Sequence, residues 1–206
     1  MVTIPLEEKY ELIRRQEELL AYGVAKEVIE KPKASIWIIF MPIFFVFHAQ
    51  RMQKYKKSVH DFARHFLHTK LLALDAAMVE AKTGRARKDD LSAPAEKEGS
   101  GEGNAAIRER QRREIAILKE HYLLLLQSPG ETYADLLQNV YPKSGDYRFF
   151  LNKLCNAEAE VNAAVITFHH ATPQARDVVM RMVEATQRRR IKEMEEIFEE
   201  SHSWTG

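Results

Sequence analysis

Asp61, His65 and His68 stand at i, i+4 and i+7, which puts all three on one face of an α-helix. Two imidazoles and a carboxylate presented that way form a donor set for a divalent metal. Glu158 and the pair His169-His170 carry further donors, and a complete site needs the fold to bring them to the same place. A di-iron bundle centre would require Glu-x-x-His motifs on two helices, a pair the chain does not supply. The competing reading makes His60, His65 and His68 part of a basic surface, on the helix face opposite Phe62 and Phe66.

The single cysteine, Cys155, excludes an intrachain disulfide and a Cys-rich zinc site, and it fits a reducing compartment. Lys153 nearby favours the thiolate, but a nucleophile also needs a positioned base, and no Cys-His context provides one. Cys155 therefore reads as a half-buried helix residue. The run Gly99-Ser100-Gly101-Glu102-Gly103 lacks the Gly-Lys-Ser/Thr ending of a phosphate loop and follows no strand, so it reads as linker. No reaction is identified, no cofactor is expected, and the chain reads as non-catalytic.

Residues 34–49 carry no charge, are rich in aromatics and contain Pro42 near their centre. Sixteen helical residues rise about 24 Å, short of the roughly 30 Å of a hydrocarbon core. Proline removes an amide donor and clashes with the preceding turn, which favours two short arms over one straight span. Three readings fit: a re-entrant wedge in one leaflet, a span, or a core helix surrounded by others. Trp37, Phe40, Pro42, Phe44, Phe45 and Phe47 are the expected anchor in the membrane readings. Arg51, Lys54, Lys56 and Lys57 follow at once, each adding about 1 kcal/mol near anionic lipid. Lys31 and Lys33 precede the segment, so both flanks are basic, as a hairpin returning to one surface requires.

Two arginine clusters complete the inventory. Glu109 and Glu114 interleave Arg108, Arg110, Arg112 and Arg113; Glu184, Glu193 and Glu195 surround Arg188 to Arg190. Such mixing argues against nucleic-acid binding and for helix ion pairs, Arg189 with Glu193 among them.

The elements that must position these groups are all helical. Apolar residues recur at helical spacing through Leu6, Tyr10, Ile13, Leu20, Val24 and Val28, predicting a first helix of about 25 residues. Val59, Phe62, Phe66, Leu71, Leu74 and Met78 extend a second from the apolar segment. Further stripes run from Ile107 to Leu125, from Phe150 to Phe168 and from Val179 to Phe198. Prolines at 5, 32, 129 and 173 precede helical stretches; Ser128 and Glu131 have capping-box spacing, and Thr172 is a cap for the last helix. No segment alternates as a strand does, so the fold class is all-α. Residues 83–104 hold four of the eight glycines and no large apolar residue but Leu91, the composition of a flexible linker. The expected organisation is a helical arm over 1–82, a linker over 83–104 and a C-terminal bundle over 105–206.

With 206 residues, 45% hydrophobic, 30% charged and a net charge of +1, the whole chain is balanced; only residues 50–70 are distinctly basic. A mean hydropathy of −0.40 fits a soluble helical protein better than a polytopic membrane protein. The first 33 residues contain seven acids, unlike a signal or transit peptide. The sequence thus points to a membrane-associated helical adaptor or accessory subunit at the cytoplasmic membrane face. Its expected contacts are a membrane surface together with a protein partner or a second copy of itself. The alternatives are a metal-dependent helical enzyme using Asp61, His65 and His68, and a soluble cytoplasmic regulator with 34–49 as its core.

Overall fold

Pro5 precedes the first helix with φ −56°, already helical in value, and needs no amide partner there. Glu7 and Glu8 occupy the first turn and Lys26 the last, both matched to the helix dipole. The result is α1, Leu6–Val28, with Ile13, Leu20, Val24 and Val28 buried along one stripe. The computed structural model describes residues 3–30, 42–85 and 102–200, with side chains described from 52 in the second stretch and from 105 to 199 in the third. Five further helices follow: α2 Pro42–Thr83, α3 Glu102–Gln127, α4 Tyr133–Val140, α5 Ser144–Phe168 and α6 Pro173–Glu200. There is no strand among the described residues.

Helix directions follow from the cross-links. α1 and α2 are antiparallel: Tyr10 donates to Asp75 at 2.6 Å, and Tyr22 meets His60 Nδ1 at 2.9 Å. α3 lies parallel to α2, with Glu80 paired to Lys119 at 2.5 Å and Lys70 beside Glu114 one end up. α5 returns antiparallel to α3, linked by Lys153–Glu120 at 3.7 Å and Arg113–Glu160 at 4.0 Å. α6 turns back against both α1 and α5, from Arg181–Glu30 at one end to the stacked Tyr147 and Phe198 rings at the other.

A parallel α2–α3 pair cannot be joined by a tight turn. Seen from the Glu80–Lys119 contact, the chain must return about 30 Å along the bundle between Thr83 and Glu102. The 18 residues between them reach that distance easily. The glycine-rich composition of 83–104 therefore sits where the topology demands a long connection, although residues 86–101 lie outside the described residues.

One principal core joins all six helices. Ile13 of α1, Leu74 of α2, Leu118 of α3, Leu137 of α4, Leu154 of α5 and Met194 of α6 belong to a single buried cluster. Among the described residues, α1 and α2 thus share this core with α3 to α6. Two polar side chains inside find partners across the bundle: Tyr122 donates to Glu17 at 2.8 Å, and Lys9 reaches Leu126 O at 3.3 Å and Ser128 O at 2.6 Å, serving carbonyls that the end of α3 leaves open.

Two local expectations are corrected. The capping box belongs to Thr132 and Asp135, which exchange side-chain and backbone bonds at the start of α4. Ser128 is instead buried and donates to Leu136 O at 3.3 Å, holding the turn between α3 and α4. Arg189 pairs with Glu27 of α1 at 2.6 Å rather than with Glu193, because Glu193 faces inward toward Gln16 and Tyr133. Thr172 caps α6 as expected, accepting from Ala175 N at 3.3 Å.

Candidate functional site

Where α2, α5 and α6 splay apart they enclose a cavity of about 440 Å³. Helical spacing explains its walls. Phe62 and Phe66 are i and i+4 on α2, Val161 and Val165 repeat that spacing on α5, and Met182 with Val183 close the α6 side. The volume falls within the roughly 300–1,000 Å³ of small-molecule sites. Its lining also includes Lys70, Glu114, Glu158, Cys155, Thr186 and Gln187, and His65 stands exposed beside it.

The polar end of the cavity is a buried ion cluster. Arg190 donates to both Glu158 oxygens, at 2.7 and 2.8 Å, the planar fork that a carboxylate matches. Lys70 Nζ adds a third bond to Glu158 Oε1 at 3.2 Å and lies 4.9 Å from the centre of the Phe66 ring. Lys70 is 2% exposed and Arg190 6%. Burial would raise the Glu158 carboxyl, but Arg190 and Lys70 outweigh it and hold the group at about 2. Glu114, on α3, comes out the other way: burial pushes it up to about 7, with Lys70 only partly opposing. Two fixed cations thus share one ionised carboxylate, beside a second carboxyl that titrates near neutrality.

Cys155 is half-buried, as expected, and its Sγ accepts from Gln187 Nε2 at 2.8 Å at the cavity wall. The structure does not assemble Asp61, His65 and His68 as metal ligands. Among the described residues no three His, Cys, Asp or Glu side chains converge on a metal position. Asp61 turns to Arg64 at 3.8 Å, while His65 and His68 are exposed. His65 also shares the cavity with Phe62 and Phe66 instead of facing away from them, since i and i+3 lie on one side of a helix.

Lys54, Lys56 and Lys57 are exposed and form no ion pair among the described residues. Trp37 and Phe40 lie outside the described residues, as do the side chains of Pro42, Phe44, Phe45, Phe47 and Arg51. The backbone from Pro42 onward is helical and continuous to Thr83. No described helix is long and apolar enough to cross a membrane. The second arginine cluster is engaged within the fold, Arg188 and Arg189 by Glu27 and Arg190 by Glu158.

Sequence reasoning missed Lys70, Glu114 and Arg190 as members of one site, and placed Glu158 only as a spare metal donor. Each looks like an ordinary surface charge in isolation; a signal lay in their positions on the apolar stripes, Lys70 four residues before Leu74, Glu114 four before Leu118 and Arg190 four before Met194. No known protein family, no curated protein and no solved structure matches the chain.

Proposed function

We propose that this protein is a non-catalytic helical accessory module, held at the cytoplasmic face of a membrane through residues 34–49 and presenting its bundle to a protein partner. The observation that carries the reading is the continuity of α2. Its helix runs from Pro42 to Thr83, and among its described side chains, which begin at residue 52, Tyr55 is the first packed on a core cluster. The end of the apolar run is therefore joined by helical backbone to the bundle. The exposed Lys54, Lys56 and Lys57 fall at that junction, where attraction to anionic headgroups is worth about 1 kcal/mol per charge and fades within a Debye length.

Fractionation of the expressed protein tests the proposal. Retention in the membrane pellet through high salt and then alkaline carbonate is the expected result. Release by salt alone reduces the contact to the basic collar and removes the inserted segment from the reading. Recovery entirely in the soluble fraction overturns membrane attachment and makes 34–49 a core or subunit-interface helix.

A further inference from the structure

The cavity between α2, α5 and α6 is independent of the membrane reading, and its two ends differ in kind. One end is walled by Phe62, Phe66, Val161, Val165, Met182 and Val183; the other holds Lys70 against the Glu158–Arg190 pair. Arg190 bonds both oxygens of Glu158, so the carboxylate already has a bidentate partner before Lys70 is counted. Lys70 spends one of its three donors on Glu158 Oε1 and makes no other hydrogen bond among the described residues. A buried ammonium with spare donors is costly to hold without a further acceptor.

From this geometry we propose that the cavity binds a single-tailed amphiphile with a monoanionic head, an aliphatic monocarboxylate of medium length. The tail lies between the phenylalanines of α2 and the valines of α5, and the carboxylate accepts from Lys70. A cationic head is disfavoured because the ion cluster already carries two cations against one ionised carboxylate. A dianionic head is disfavoured because there is only one surplus positive charge and Glu114 adds negative charge beside it as it ionises.

Calorimetric titration of the full chain with decanoate, decan-1-ol and decyltrimethylammonium tests the assignment, with amide chemical shifts locating the site. Decanoate is expected to saturate at one per chain and to shift Lys70, Val161 and Thr186. In Lys70→Met its affinity should fall at least about tenfold, the scale of one charge-assisted hydrogen bond, while decanol is little changed. That variant keeps the Arg190–Glu158 pair, so folding is expected to survive. Val165→Trp fills the apolar end from a half-buried position and should abolish binding of both compounds. Decanoate binding that persists in Val165→Trp places the amphiphile elsewhere on the chain and overturns the proposal. So does a Lys70→Met affinity equal to wild type, equal binding of the ammonium compound, or the absence of saturable decanoate binding.

Discussion

Glu158 is the residue on which the most charge depends, since it accepts three hydrogen bonds from two buried cations. Glu158→Gln leaves Lys70 and Arg190 without a counter-charge, and breaking a buried pair by removing one partner costs about 3–5 kcal/mol. Urea denaturation should show that loss in the midpoint with an unchanged slope. Glu114 makes a prediction in pH. Its folded value near 7 lies above the ordinary 4.5, so the folded state holds the proton more tightly than the unfolded chain. Its contribution is complete below pH 4.5 and is lost as pH rises through 7, a swing on the order of 3 kcal/mol. The groups setting that value are Lys70 of α2, Glu158 of α5 and Arg190 of α6. Glu114→Gln should therefore gain stability relative to wild type between pH 5 and pH 8. Glu193, raised to about 7 by its own burial, keeps a similar slope in both proteins. His121 works in the opposite sense, because burial lowers it to about 3 and its contribution is lost as pH falls below its ordinary 6.5. Comparing the variant with wild type at each pH cancels both.

At the scale of elements, the α1–α6 contact turns on Gly23. A Cβ there meets the guanidinium of Arg189, which reaches across to Glu27 at 2.6 Å. Gly23→Ala gains about 1 kcal/mol of helix propensity but must displace Arg189 from that half-exposed pair. The two effects nearly cancel, so the single variant should be close to neutral. In an Arg189→Ala background the same change should stabilise by about 1 kcal/mol, and the difference between the two backgrounds measures the contact in a double-mutant cycle. The α2–α3 connection is tested by length. Removing four residues from 86–101 alters loop-closure entropy by a few tenths of a kcal/mol and should be tolerated. Removing twelve leaves a tether of about 25 Å at full extension, too short for the return of about 30 Å. Lost thermal cooperativity, or domain-swapped dimers in size exclusion, should mark that variant.

At the scale of the molecule, residues 105–206 should not fold alone, because Ile115, Leu118 and Tyr122 share their core with Ile13 and Leu74. The isolated fragment is expected to keep helical far-ultraviolet dichroism but lose cooperative melting, and residues 1–82 added in trans should restore it. Cooperative melting of the fragment by itself would show a second, independent core.

What the sequence determined by itself is the set of helices, because apolar spacing and end signals are local. The stripe on α1 is buried at Ile13, Leu20, Val24 and Val28; Thr172 caps α6; and Ile107, Ile115, Leu118, Tyr122 and Leu125 line the inside of α3. The short α4 was not separated from its neighbours, since eight residues carry too little periodicity to stand out. The direction in which α3 runs, the sharing of one core by all six helices, and the joining of Lys70, Glu114, Glu158 and Arg190 were decided only by tertiary structure. Those residues lie up to 120 positions apart in sequence. A charge is conspicuous in a sequence only beside its neighbours in the chain, whereas the energy that selects its partner comes from burial, which only packing creates.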